Sequence, residues 1–326
     1  MILRHEHLSR HPGVFQAMTG LTLREQDRLF ADFLPLFLQA DQQRRQRPQR
    51  QRAPGGGPTF SLLSRDQLVL VLVWLRHYPT NEVLGYLFGV SDSTASRCVS
   101  RVLPLLETLG LRTMHLPDPK TARRKTLPEL LRETPALAVV IDSFEQRVQR
   151  PQPQQPPAGP PAGSQQQTAK QPQPADQWYS GKKKQHTIKS QVAVDETDGR
   201  IVDVSESVPG PTADIELLRR SGLMEALPAG VGGLGDLAYV GIDKIAPGTA
   251  GAAPRRKPRG KPRPEADRAY NRAFSQRRIV VEHGIARLRK FQALAQTDRH
   301  HRSNHRCRVR AVAGLVNHRI KHRGPR

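Results

Sequence analysis

The chain has 326 residues, enough for one large domain or two modest ones. Its apolar share of 37% is low for one fully packed globule, so part of it is expected to lie outside a core. Lys and Arg number 52 against 29 Asp and Glu, a net charge of +23, and nucleic acid is the commonest partner for such a surplus. A basic tail on an unrelated enzyme is the alternative, but the charge is spread over several segments. Cys98 and Cys307 stand too far apart in sequence to suggest a disulfide framework or a zinc site. The longest apolar run, Leu68 to Leu75, is too short to span a bilayer, and Met1 to His7 carries no signal-peptide core. A soluble, cytoplasmic protein that meets no membrane is the expectation.

Taken in chain order, Leu21 to Ala40 reads as a helix capped by Thr22, with a kink allowed at Pro35. Gln42 to Gly57 is rich in Gln, Arg, Pro and Gly and reads as a basic linker, resting on phosphates or merely solvated. From Ser64, with Gln67 three residues on, a capped and buried helix is predicted. A short helix over Asn81 to Phe88 follows. Gly89-Val90 breaks it, and Ser91 caps a third helix running through Val102. Two short helices around a tight Gly turn form the helix-turn-helix pattern, although an ordinary helical hairpin shares it. The second helix would offer Ser93, Thr94, Ser96 and Arg97 to DNA. Pro117, Pro119 and a Lys/Arg run then read as a connector.

Ala136 to Ile141 is a β-branched run reaching Asp142, with Phe144, Arg147 and Val148 as a possible edge continuation. Pro151 to Gln177 is a Pro/Gln/Gly/Ala tract with too little apolar content to order itself, and reads as a disordered insertion. Trp178-Tyr179, Ile188 to Val194 and Ile201 to Val204 read as strands, and Thr212 to Leu227 as helix. Val231 to Leu237 is a short Gly-rich strand, and Asp267 to Leu294 a long helix with a possible break at Gly284. The tail from Arg299 is basic. Strands, a helix, another strand and a long terminal helix make an α/β pattern.

Three acids stand out by placement. Asp142 and Asp236 each follow a buried strand, where a carboxylate emerges at a sheet end. Glu282 is the sole acid between Arg268 and Thr297, and shares a helical stripe with Arg278 and Arg289. Carboxylates so arranged can hold two Mg²⁺ or Mn²⁺ ions ~3.5–4 Å apart and clamp a phosphodiester. Each acid alone could equally be a cap or an ion-pair partner. His186, His283 and His300-His301 match no zinc spacing.

Val140-Ile141-Asp142-Ser143-Phe144-Glu145-Gln146 with Trp178-Tyr179-Ser180-Gly181-Lys182-Lys183-Lys184-Gln185-His186-Thr187-Ile188-Lys189 resembles the first catalytic block of insertion-sequence transposases of the insertion-sequence-5 and Harbinger-like group. Gly235-Asp236-Leu237-Ala238-Tyr239 resembles the second block. Arg277-Arg278-Ile279-Val280-Val281-Glu282-His283 with Arg289-Lys290-Phe291 resembles the third, and Leu63 to Leu103 resembles the family's helix-turn-helix unit. The resemblance implies a ribonuclease H-like α/β catalytic domain behind an all-α helix-turn-helix domain. It implies Asp142, Asp236 and Glu282 as the metal-binding triad for two Mg²⁺ or Mn²⁺ ions. It implies Lys182, Lys183, Lys184, Arg278, Arg289 and Lys290 as DNA contacts, and Tyr239 as a supporting residue. There are departures. The long Pro/Gln tract interrupts the first block, and the family's His-Asp pair is Ala213-Asp214 here. Asp214 is therefore the second choice for a metal ligand, although a helix cap is the expected role.

The expected organisation is an N-terminal helix and basic linker over residues 1–57, a helix-turn-helix domain over 58–115, and a catalytic domain over 136–320 with residues 151–177 inserted. The expected function is metal-dependent cleavage and strand transfer at the ends of the chain's own insertion element, by a homodimer or higher oligomer on double-stranded DNA. A catalytically decayed, DNA-binding descendant is the alternative, and a general nuclease is a third class.

Overall fold

The computed structural model describes residues 3–46, 61–122, 126–150 and 176–322. Six helices open it: α1 (His5–Ser9), α2 (Pro12–Thr19), α3 (Leu23–Arg45), α4 (Ser64–His77), α5 (Asn81–Phe88) and α6 (Asp92–Leu111). The Thr22 hydroxyl accepts from Glu25 N at 3.2 Å, and the Glu25 carboxylate accepts from Thr22 N at 2.7 Å, a reciprocal cap on α3. α3 runs past Pro35 and ends at Arg45, so the first residues expected in the linker are helical. Asp41 stabilises that last turn through Arg44 and Arg45, three and four residues on. Ser91 caps α6 as expected, and Thr80, not singled out in the sequence, caps α5. Ser64 caps nothing: α4 begins after Leu63 without a side-chain cap, and Gln67 donates instead to Leu62 O at 3.0 Å.

The turn between α5 and α6 rests on two glycines. Gly89 takes a left-handed φ of +60°, and a Cβ on Gly85 would stand 2.6 Å from Val90 O. α6 does not stop near Val102. It continues through Pro104 to Leu111 because Val102, Leu103, Leu106 and Leu109 bury a continuous stripe, which offsets the hydrogen bond proline removes.

The sheet is built on β1 (Ala138–Arg147). On one side lies antiparallel β3 (Gln185–Asp195), whose far side carries β2 (Tyr179–Ser180), β4 (Ile201–Val204) and β5 (Val208–Pro209). On the other side β6 (Gly232–Leu234) and then β7 (Gly251–Ala252) run parallel. Strand alternation separates two cores. Val140, Phe144, Val192 and Val194 face α9 (Glu265–Arg289) and share one core with α3 to α6 and with α10 (His305–His322). Val139, Ile141 and Ala193 face a smaller core with Leu218 of α7 (Asp214–Ser221) and Leu223 and Met224 of α8 (Leu223–Ala226). The Pro/Gln tract lies outside the described residues up to 175.

Three expectations change here. Asp142 sits inside a ten-residue strand rather than at its end. α9 passes Gly284 unbroken: a Cβ there would come 3.0 Å from Val194 Cγ2, so the glycine serves close helix-to-sheet approach. The basic tail holds α10, which is largely buried against α6. Its cations are accommodated individually. His305 is buried and held neutral, burial lowering its pKa to about 3, and its ring meets Ser207 Oγ at 2.8 Å and Gln146 Oε1 at 2.9 Å. Arg308 is buried in an ion pair with Asp298.

Where α6 crosses α10, Gly110 meets Gly314. A Cβ on Gly314 would overlap Gly110 Cα, and one on Gly110 would stand 2.6 Å from Arg310 O. Backbone cannot yield as a flexible side chain can. Gly314→Ala is therefore expected to cost about 1–3 kcal/mol of unfolding free energy in urea. A change within experimental error would show that the helices can part freely.

Candidate active site

The register between β1 and β6 ends at Val140 opposite Leu234. Two residues further on each chain stand Asp142 and Asp236, so parallel pairing brings the two carboxylates to one place. β6 ends because Asp236 turns the chain: its carboxylate accepts from Ala238 N at 2.8 Å. Gly235 is needed there, since a Cβ would run into the Tyr239 ring. Asp142 Oδ1 accepts from Ser143 N at 2.8 Å, and Oδ2 lies 3.5 Å from Arg278 Nη2 of α9. Burial pushes the Asp142 carboxyl up to about 6, against the pull of Ser143 N and Arg278, and the charges of Asp236 and Asp214 push it the same way.

Asp214 belongs to the same neighbourhood but does not cap α7. The cap is Ala213, without a side-chain bond. Asp214 Oδ1 instead accepts from Lys189 Nζ at 2.8 Å and from Ser143 Oγ at 2.7 Å. Lys189 is buried and also donates to Thr212 O at 2.6 Å, so this carboxylate is already neutralised. Sequence reading missed that role for Lys189. The signal was a lysine between Ile188 and Val192 on a strand, a buried cation that requires a partner. Tyr239 is fully buried and donates to Gln191 Oε1 at 3.2 Å. Burial raises its phenol well above 10, helped by Asp214, Asp142 and Asp236, so it stays neutral beside them.

The third acid stands apart. Glu282 is exposed on α9, one turn beyond Arg278. Among the described residues, no three His, Cys, Asp or Glu side chains stand close enough together to hold a metal ion as they lie. Arg278 turns inward to Asp142 rather than out to solvent.

A family model described as DDE superfamily endonuclease matches residues 141–317, the stretch holding β3, β6, α9 and most of β1 and α10. The chain belongs to the DDE superfamily endonucleases. A second model, the helix-turn-helix of DDE superfamily endonuclease, matches residues 60–111, which are α4 to α6. A protein of Microchaete diplosiphon named "Probable transposase for insertion sequence element IS702" is 27% identical over 271 residues, covering 83% of this chain and 85% of its own length. No solved structure matches. Among the described residues no helix is long and apolar enough to cross a membrane.

DDE superfamily endonucleases generally use divalent metals, and Asp142 and Asp236 suit one. They are hard oxygen donors, and Asp142 carries a raised pKa beside two other acids with a single guanidinium 3.5 Å away. That is the environment a cation relieves. The basic residues expected at the DNA lie at the surface. Lys182, Lys183 and Lys184 are exposed on the turn from β2 to β3, and Arg289 and Lys290 are exposed at the end of α9. On α6, Ser93 and Arg97 are exposed and Thr94 and Ser96 half-buried.

The raised pKa has a consequence for stability. Between 3.8 and about 6 the folded chain binds the Asp142 proton more tightly than the unfolded chain does. The stabilisation from that proton, about 3 kcal/mol, is complete below 3.8 and is lost as pH rises through 6. Asp142→Asn cannot ionise. It is expected to melt higher than the parent at pH 8 and at nearly the same temperature at pH 4. A lower melting temperature at pH 8 would show that the carboxylate is stabilised where it lies.

Proposed function

We propose that this DDE superfamily endonuclease is a transposase that cuts DNA at the ends of its own insertion element and joins the freed 3′-hydroxyl to target DNA. The observation that carries this reading is the placement of Asp142 on β1 beside Asp236, just past the end of parallel β6, with Arg278 against Asp142. The name of the Microchaete diplosiphon relative and its coverage of both halves of the chain support the biological role. The strand order, with β1 central between antiparallel β3 and parallel β6, supports the ribonuclease H-like reading.

In this reading Asp142 and Asp236 hold divalent metal, Mg²⁺ or Mn²⁺, and Glu282 completes the set once a turn of α9 or a change of its side chain brings it in. Bound metal would lower the pKa of the attacking water or 3′-hydroxyl and offset charge on the leaving oxygen. The protein's own part is positioning. Arg278, released from Asp142 when its charge is met otherwise, can reach a phosphate. Lys182, Lys183, Lys184, Arg289 and Lys290 hold the flanking backbone, and α6 selects the end. Assembly as a dimer or higher oligomer would bring two ends together, and cytoplasmic DNA is the expected substrate.

The test is incubation of the purified full chain with duplexes carrying its element's ends, with and without Mn²⁺. Cuts at the element boundary that depend on the ion are expected. Binding without cutting would favour the decayed, DNA-binding alternative. Cutting without regard to the boundary would favour a general nuclease.

A further inference from the structure

The face of α6 offered to DNA does not end at Arg97. One turn on, Ser100 and Arg101 continue it, and opposite them stand Gln43 and Arg44 from the last turns of α3. With Ser96 and Arg97 they line an open groove of about 540 Å³.

The groove is fixed in shape, because Phe33 and Phe37 of α3 and Val99, Val102 and Leu103 of α6 are buried in one core. Its guanidinium groups are set from behind. Asp41 holds Arg44 at 2.5 Å and Arg45 at 2.7 Å while being largely covered itself, and both arginine side chains remain substantially exposed. Gln67 Oε1 accepts from Arg101 Nη1 at 2.9 Å. Burial, then the neighbouring charge of Arg44, lowers the Arg101 pKa, so a cation from each wall faces the groove. Ser96 and Ser100 add hydroxyls to the lining as neutral donors. Among the described residues no aromatic side chain lines the groove, so they offer no platform on which an unpaired base could stack. Arg47, Arg50 and Arg52 follow α3 in the sequence.

We propose that the groove between α3 and α6 binds the sugar–phosphate backbone of duplex DNA, beside the bases met by the first turns of α6. This makes α3 part of the DNA-binding unit and not a neighbour of it. The inference rests on the helix-turn-helix reading above, and it adds a contact that recognises phosphate without regard to sequence.

The test measures binding of the full chain to a short random-sequence duplex across salt concentrations. Arg44→Ala is expected to weaken binding about threefold to tenfold at ~0.1 M salt and to lower the slope of log K against log salt by roughly one. Arg44→Lys should restore the slope. Ser100→Glu leaves the Asp41 ion pairs intact and places a negative charge in the groove, so it should weaken binding at least as much, even if Arg44→Ala were to disturb α3. Unchanged affinity and slope in both Arg44→Ala and Ser100→Glu would overturn the proposal, as would a loss confined to single-stranded DNA or heparin. If the parent chain binds and cuts DNA while both variants bind as tightly, only the groove assignment fails. If the parent binds no DNA at all, the transposase reading fails with it.

Discussion

Alanine at Asp142 or at Asp236 is expected to reduce cleavage of element-end DNA by on the order of a thousandfold or more, while binding of that DNA persists. The two residues share one point of the sheet, where β1 runs beside the end of β6, and among the described residues neither carboxylate has a lysine partner of the kind that neutralises Asp214. On the proposed reading, removing either takes away a metal ligand. Glu282→Ala should match them if α9 delivers Glu282 to the site. Cleavage by Glu282→Ala at near-parent rates would remove that residue from the set. Asp214→Ala separates the alternatives, because its charge is already met by Lys189 and Ser143. Activity in Asp236→Ala combined with none in Asp214→Ala would transfer the second ligand to Asp214. A gel shift and a cleavage assay on the same preparations decide it.

The second large effect concerns stability. Arg277 and Glu196 form an ion pair with 6% and 1% side-chain exposure. Arg277 Nε and Nη2 donate to the two Glu196 oxygens at 2.8 and 2.6 Å, Nη1 donates to Thr134 Oγ1 at 2.6 Å, and Nη2 also donates to Pro135 O at 2.7 Å. The pair ties α9 to the start of β1 and to the turn after β3. Losing one partner strands a buried charge, so Arg277→Ala is expected to cost about 3–5 kcal/mol of unfolding free energy. Arg277→Met combined with Glu196→Leu removes both charges and should recover much of that loss. A cost for Arg277→Ala below about 1 kcal/mol, as for an exposed pair, would show that water reaches it. Since α9 carries Arg278 and Glu282, the destabilised variant should also cleave more slowly at temperatures where it remains folded.

What the sequence disclosed, and what it concealed, follows from the range of each signal. Thr22, Ser91 and Gly89 act within one helical turn, and the caps and the break read from them are present in the structure. The run Val139-Val140-Ile141 marked the central strand, because a strand covered on both faces needs no alternation. α10 was hidden, because His305, Arg308 and Arg310 make its stretch look like a solvated tail. Its burial depends on Gln146 and Glu107, both distant in sequence, and on Asp298 ahead of the helix. Asp214 misled for the same reason. Asp at the start of a helix suggests a cap, and only the fold of β3 reveals Lys189 beside it. The inward turn of Arg278 to Asp142 is likewise a matter of how α9 crosses the sheet, which no local pattern records.

The central claim is that Asp142 and Asp236 support both steps of transposition, and joining tests it most directly. Element-end duplex with a pre-formed 3′-hydroxyl is mixed with supercoiled plasmid, Mn²⁺ and the full chain, and covalent insertion products are counted. Joining by the parent chain and none by Asp142→Asn or Asp236→Asn is the expected result. Joining undiminished in either variant, or none by a parent chain that binds the end tightly, would contradict it.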